Sequence, residues 1–290
     1  MRRTKQGTHP LADTFYDAQK TVGQIRARLR TPTGSGWMRP KAFYQASWLE
    51  SMCADIGREY ETNARTPVAQ IMCAGYQWGL VVTALACYRF YRRVPDLCPE
   101  KLWFHWNSAH SYVDEIAYES GAFACLQGDP ASSHPDAVVV SNQRALRDHL
   151  RRELVSHFKG AFEPISRFMG IRPHGLWLSL ADRCAATLLW LEQERTAGTG
   201  GVDAASDLRD DVQALFAAPH SPLQNKVTEI IPIHVGSEHV QLCVKRATCC
   251  HAYRLDRRDY CDNCPHLPRE EMQDRICAAF EQRANKLVEA

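Results

Sequence analysis

The spacing of apolar residues predicts helices through most of the first 220 positions. Phe15, Val22, Ile25 and Leu29 recur at helical intervals, so Asp13 to Leu29 reads as an amphipathic helix. Pro32, Gly34 and Gly36 make Thr31 to Arg39 a loop. A second helix, Ala46 to Tyr60, places Trp48, Leu49, Met52, Ile56 and Tyr60 on one face. Thr66 as N-cap and Pro67 at the first helical position start a third, reaching about Arg93. Its apolar residues, among them Ile71, Leu80, Val82, Leu85 and Phe90, lie all round the axis, as in a buried central helix. Gln70 and Gln77 interrupt it, and its longest clean apolar run, Gly79 to Cys87, is too short to span a bilayer. No transmembrane segment is expected.

After Pro95 and Pro99 the pattern changes. Leu102 to Trp106 reads as a strand, Ala122 to Leu126 as a second, and Ala137 to Val140 as a third or a short approach to the next helix. Ser141 is expected to cap a helix that runs to Met169 and stops at Gly170, with Pro164 placed to kink it. Another helix follows Pro173 and carries Leu176, Leu180, Leu188, Leu189 and Leu191 as far as a linker at Gly198 to Gly201. A shorter one, Val202 to Ala217, precedes Pro219 and Pro222. Val227 to His234 and Val240 to Val244 are then β-rich around Gly236-Ser237-Glu238, a hairpin. A final helix after Pro268 has Met272, Ile276 and Phe280 on one face. The expected fold class is α+β: a mainly helical body with a small mixed sheet over residues 1–222, and a C-terminal hairpin, loop and helix module over 223–290.

Composition narrows the function. Apolar content of 45% and charged content of 23% are ordinary for a soluble globular protein, and a formal charge of +2 argues for neither nucleic acid nor membrane binding. Twelve cysteines would suggest disulfides in a short secreted chain, but this one is long and starts Met1-Arg2-Arg3-Thr4 without an apolar signal core. The expected location is therefore the cytoplasm, or the inner face of the membrane as a peripheral protein. There Cys53, Cys73, Cys87, Cys125, Cys184 and Cys277 are expected to be small buried hydrophobes, Cys98 less so, with Cys243 a candidate spare ligand. His105 and His110 read as ordinary strand and surface histidines. Gly34-Ser35-Gly36 lacks the third glycine and the preceding strand of a dinucleotide fingerprint, and no flavin or nucleophile-elbow motif is found.

Candidate chemistry gathers in one stretch. Cys249 and Cys250 are adjacent, ten residues separate them from Cys261, and Cys264 follows after two more. Four thiolates in a short loop can hold a tetrahedral zinc or an iron–sulfur cluster. Zinc knuckles use separated cysteines in both halves, whereas neighbouring side chains on an extended backbone point to opposite faces. A diiron unit suits such a vicinal pair better than one zinc, and in either case the chain must leave strand geometry there. His251 and His266 would suggest mixed ligation only if two cysteines were missing.

The run Arg246-Ala247-Thr248-Cys249-Cys250, then Tyr253-Arg254, then Cys261-Asp262-Asn263-Cys264-Pro265, resembles the C-terminal signature of the FhuF-like ferric siderophore reductases. The resemblance implies that Cys249, Cys250, Cys261 and Cys264 ligate a 2Fe-2S cluster. It also implies one-electron reduction of a ferric siderophore, a hydroxamate for instance, to release Fe(II). Upstream the likeness is loose: length, a helix-rich N-terminal part, and a Leu-Trp stretch at Leu176-Trp177. Without a nucleotide or flavin site, the electron must come from an external donor such as a ferredoxin or a flavoprotein reductase. Arg246 and Arg254, nearest the first cysteine pair, are the residues expected to attract an anionic chelate. The competing readings are a zinc-stabilised interaction or regulatory protein, and an iron–sulfur sensor or electron carrier without a siderophore site.

Overall fold

Gly75 and Gly79 mark how the central helix is seated, because a Cβ at Gly75 would meet the Ser111 carbonyl oxygen at 2.0 Å and one at Gly79 that of Val113 at 2.7 Å. Only glycine lets a helix lie this close to neighbouring backbone. The computed structural model describes residues 9–107, 109, 111–195, 202–235, 239–255 and 258–288. The fold is α+β, and the chain packs as two units, Met1–Cys53 with Met72–Gly170, and Ala54–Ile71 with Ile171–Ala290.

In the first unit α1 (Pro10–Thr21) is capped by His9 and buries Leu11, Phe15 and Ala18. It is shorter than the periodicity predicts. The chain leaves the helix before Gly23, and Ala27–Leu29 becomes strand β1, paired in parallel with residues 116–118. Val22 and Ile25 are still buried, so the apolar spacing is real but not helical throughout. A two-residue strand, β2 (Trp37–Met38), lies within the expected loop, followed by α2 (Ala46–Glu59) and α3 (Arg65–Tyr91), of which residues 54–59 and 65–71 belong to the second unit. Helix α3 starts one residue before Thr66. It is long and apolar enough to cross a membrane, and 78% of its most apolar window is buried within the protein.

Strands β3 (Arg93–Pro95), β4 (Leu102–Asn107), β5 (Tyr112–Tyr118), β6 (Phe123–Leu126) and β7 (Ala137–Val140) follow. They form a sheet ordered β1-β5-β4-β2 and another ordered β3-β6-β7. Strand β5 is absent from the sequence expectation because Asp114 and Glu115 break its apolar run; Asp114 accepts from His105 Nδ1 at 2.7 Å, and Glu115 pairs with Arg28. Helix α4 (Gln143–Met169) is capped by Asn142 rather than Ser141, ends at left-handed Gly170 as expected, and runs unbroken through Pro164. Its His157 is fully buried, donating from Nδ1 to the Leu97 carbonyl at 2.8 Å and accepting from the Tyr76 hydroxyl at 2.9 Å. Burial lowers its pKa to about 4.

The second unit holds α5 (Pro173–Arg195), α6 (Val202–Phe216), the antiparallel pair β8 (Glu229–Val235) and β9 (His239–Lys245), and α7 (Arg269–Val288). Ile233, Met272 and Ile276 form a core with Cys243 packed against it, which places Cys243 in apolar packing. The expected turn at Gly236-Ser237-Glu238, the linker at Gly198 to Gly201 and His110 lie outside the described residues. All twelve cysteines are unbridged; Cys73, Cys87, Cys125 and Cys184 are buried, whereas Cys53, Cys98, Cys243 and Cys277 are half-buried.

Candidate metal centre

Strand β9 ends at Lys245, and the chain then turns under the hold of one buried side chain. Asp182, on α5, accepts the Thr228 hydroxyl at 2.7 Å, the Ala247 N–H at 2.8 Å and the Thr248 N–H at 3.0 Å. Arg246 Nε lies 3.7 Å from the same carboxylate. Burial raises the Asp182 pKa, and these donors and Arg246 oppose the rise. A second tie comes from Asn263, whose Nδ2 donates to the Val244 carbonyl at 3.0 Å and fastens the Cys261–Cys264 turn to the end of β9. From α7, Arg275 reaches Asp259 at 3.0 Å and the Tyr260 carbonyl at 3.2 Å. The cysteine loop is thus pinned from α5, β9 and α7, although it has no sheet of its own.

Within this frame the four cysteines of the sequence expectation come together. His251 takes the left-handed conformation (φ 59°, ψ 16°), and a 3-10 turn over Ala252–Arg254 follows. The departure from strand geometry that a vicinal pair requires therefore occurs directly after Cys250. Cys250 Sγ lies 3.6 Å from Cys261 Sγ, and Cys249 is in side-chain contact with Cys264. Each member of the adjacent pair thus faces one member of the Cys-x-x-Cys pair. Cys249 and Cys264 are buried, at 6% and 2% exposure, while Cys250 and Cys261 are half-buried.

The hydrogen bond from the Cys261 thiol holds Cys250 well below the usual thiol range, helped by the Ala252 N–H and by Arg246. That bond and burial push Cys261 up, and burial likewise raises Cys249. Arg246 therefore sits between Asp182 and Cys250 and touches both. Arg254, the other expected basic residue, is exposed on the 3-10 turn. Two cavities flank the loop. One of about 320 Å³ has Lys245, Arg246 and Arg269 with Cys264 in its wall and an apolar floor that includes Ile231 and Met272. The other, about 410 Å³, is lined by Cys261, Asp262 and Phe280 among others.

The tethering roles of Asp182, Asn263 and Arg275 are absent from the sequence expectation. Asp182 had one visible signal, a lone acid within the apolar stretch Leu180-Ala181-Asp182 of a core helix. A different cluster, His9, His134 and Asp136 in the first unit, brings its ligand-type atoms within 4.8 Å of one another. It is a poor cation site. His9 Nδ1 accepts the Leu11 N–H and His134 Nδ1 accepts the Asp136 N–H, so both Nε2 atoms carry hydrogens and offer no lone pair. His9 Nε2 donates to Asp136 at 2.9 Å, a clasp that fixes the start of α1.

A short loop that gathers four thiols, two of them buried, is a candidate thiolate metal centre. Residues 246–266 match the family model of the FhuF 2Fe-2S C-terminal domain, consistent with an FhuF-like family and with a 2Fe-2S cluster as the cofactor. No curated protein matches the chain. The donor set fits such a group: four sulfurs in two facing pairs, two of them sheltered, with His251 next in sequence carrying a buried ring nitrogen that has no partner among the described residues.

Proposed function

We propose that this protein is a ferric siderophore reductase whose cluster is held by Cys249, Cys250, Cys261 and Cys264. The observation that carries this reading is the convergence of those four thiols within the segment that matches the FhuF 2Fe-2S domain. When bound, a 2Fe-2S cluster supplies one electron at a time, at a potential set by ligands, charge, hydrogen bonds and exposure. In this reading residues 223–290 form the cluster-holding module.

The chain's own residues do the rest. Cys249 and Cys264 keep one side of the centre dry, and half-buried Cys250 and Cys261 leave the other within reach of a partner. Arg246, oriented by Asp182, offsets negative charge at Cys250. Lys245, Arg246 and Arg269 give the cavity beside Cys264 a positive rim, with Arg254 exposed nearby in sequence; these attract an anionic ferric chelate. The substrate Fe(III) is bound by hard oxygen donors, hydroxamates for instance, which hold Fe(II) far less strongly, so one electron labilises it. The electron comes from a ferredoxin or a flavoprotein reductase, and the reaction takes place in the cytoplasm or at the inner face of the membrane.

Anaerobic protein reduced with dithionite and freed of the excess should reoxidise on mixing with a ferric hydroxamate, releasing one Fe(II) to a chromogenic trap per cluster. A cluster that survives but yields no Fe(II) from hydroxamate, catecholate or carboxylate chelates would leave an electron carrier. Stoichiometric zinc without sulfide would leave a structural metal.

A further inference from the structure

The Nδ1 atom of His251 is buried and has no hydrogen-bond partner among the described residues, although the ring as a whole is half-exposed. An unsatisfied buried ring nitrogen is destabilising, and such atoms in folded proteins ordinarily have a partner that is a ligand or water. The neighbouring rings of Tyr253 and His266, centred 6.3 and 6.4 Å away, make no hydrogen bond to it. Two thiols immediately precede this residue in the chain. His251 follows Cys250 directly, and its own backbone N–H points to Cys249 Sγ at 3.2 Å.

The backbone holds the ring in place by an uncommon conformation. His251 has φ 59°, in the left-handed region that residues other than glycine adopt uncommonly. The Arg254 N–H donates to the His251 carbonyl at 3.0 Å and fixes that turn. The result is a ring with a buried inner nitrogen, on a residue whose backbone N–H is tied to Cys249 Sγ, while the rest of the ring is half-exposed.

We propose that His251 donates an Nδ1–H hydrogen bond to a sulfur of the cluster, and that it thereby sets how readily the centre accepts an electron. His251 is a positioning and tuning residue, not a ligand. The proposal rests on the cluster reading above but not on the identity of the electron acceptor. Reduction adds negative charge that is shared with the sulfurs, so a donor N–H stabilises the reduced form more than the oxidised one.

The test uses the full chain purified without oxygen, as wild type, His251→Phe and His251→Gln. In the reduced wild type, pulsed EPR should detect a histidine nitrogen coupled to the cluster, shifted by selective ¹⁵N-histidine labelling and lost in His251→Phe. Redox titration should show the reduction equilibrium constant of His251→Phe falling about tenfold, which is 59 mV for a one-electron couple. His251→Gln, which keeps an N–H, should recover most of that loss. An intact cluster in His251→Phe with a wild-type potential, or a labelled wild type without histidine coupling, overturns the proposal. If His251→Phe takes up no cluster, the labelled wild type and His251→Gln decide the matter. Failure of the protein to reduce any ferric chelate leaves all these readings in place, whereas zinc in the wild type would remove the cluster reading and this proposal together.

Discussion

Asp182 and Thr248 are 66 residues apart in sequence, yet the Asp182 carboxylate accepts the Thr248 N–H at 3.0 Å, one residue before the first cysteine of the metal centre. The same carboxylate takes the Ala247 N–H and the Thr228 hydroxyl, so a helix in the core sets where the cysteine loop begins.

Replacing Asp182 with Asn should therefore damage both stability and cluster assembly. An amide has a single oxygen acceptor, so at least one of the donors is stranded in a buried site, at about 1–3 kcal/mol. Arg246 also loses its counter-ion. The expected result is a lower melting temperature and less than one cluster per chain after anaerobic reconstitution, read by iron and acid-labile sulfide. Unchanged melting with full loading would show that the tether is dispensable.

The four cysteines should separate sharply from the rest. Serine at Cys249, Cys250, Cys261 or Cys264 should abolish or shift the visible absorption of the cluster. Alanine at Cys73 or Cys184, both fully buried, should lower stability by about 1–2 kcal/mol and leave the spectrum unchanged. A lost spectrum in a soluble, folded Cys73→Ala or Cys184→Ala protein would break the ligand assignment.

Stability should fall in acid because of His157. Its folded pKa is about 4, against an unfolded value near 6.5, so it stays neutral in the fold where the unfolded chain takes up a proton. The stabilisation is complete above pH 6.5 and is lost as pH falls toward 4, by about 3 kcal/mol in total. Denaturant titrations between pH 7 and 4 should show this slope, and His157→Gln should flatten it. An equal slope in the variant would assign the acid sensitivity elsewhere.

Charge around the loop should appear in rates rather than in the cluster spectrum. Attraction between exposed charges is screened over about 10 Å at 0.1 M salt, so reduction of an anionic ferric chelate should slow as salt rises. Arg254→Gln and Arg269→Gln should each lower the low-salt rate by about two- to threefold and reduce the salt slope. Arg246→Gln should do so too, with added loss of cluster yield, since Arg246 touches both Asp182 and Cys250. Stopped-flow mixing at several ionic strengths is the measurement, and identical slopes in the Arg254 and Arg269 variants would make these residues plain surface.

Seating of the central helix gives a test of the fold itself. A methyl at Gly75 would run into the Ser111 carbonyl, so Gly75→Ala should destabilise by about 1–3 kcal/mol although alanine favours helix. Gly128→Ala, with open space at that position, is the control and should stay near wild type. Equal denaturation midpoints would mean that α3 is not packed this closely.

What the sequence determined by itself is whatever depends on neighbours along the chain. The period of α2 and α5, the stop at Gly170, the hairpin strands β8 and β9 and the spacing of the four cysteines all follow from residues a few positions apart, and all are found. The candidate site was legible for the same reason, because Cys249, Cys250, Cys261 and Cys264 lie in one short loop. Tertiary structure alone decided the features that need partners from far away. Residues 27–29 form a strand because β5 offers its edge, some ninety positions on, and β5 holds Asp114 and Glu115 because His105 and Arg28 lie opposite. Asp182 looks like a flaw in an apolar helix until Thr228, Ala247 and Thr248 arrive to satisfy it. Local propensity fixes an element at its own positions, but a buried polar group is tolerated only where the fold delivers its partners.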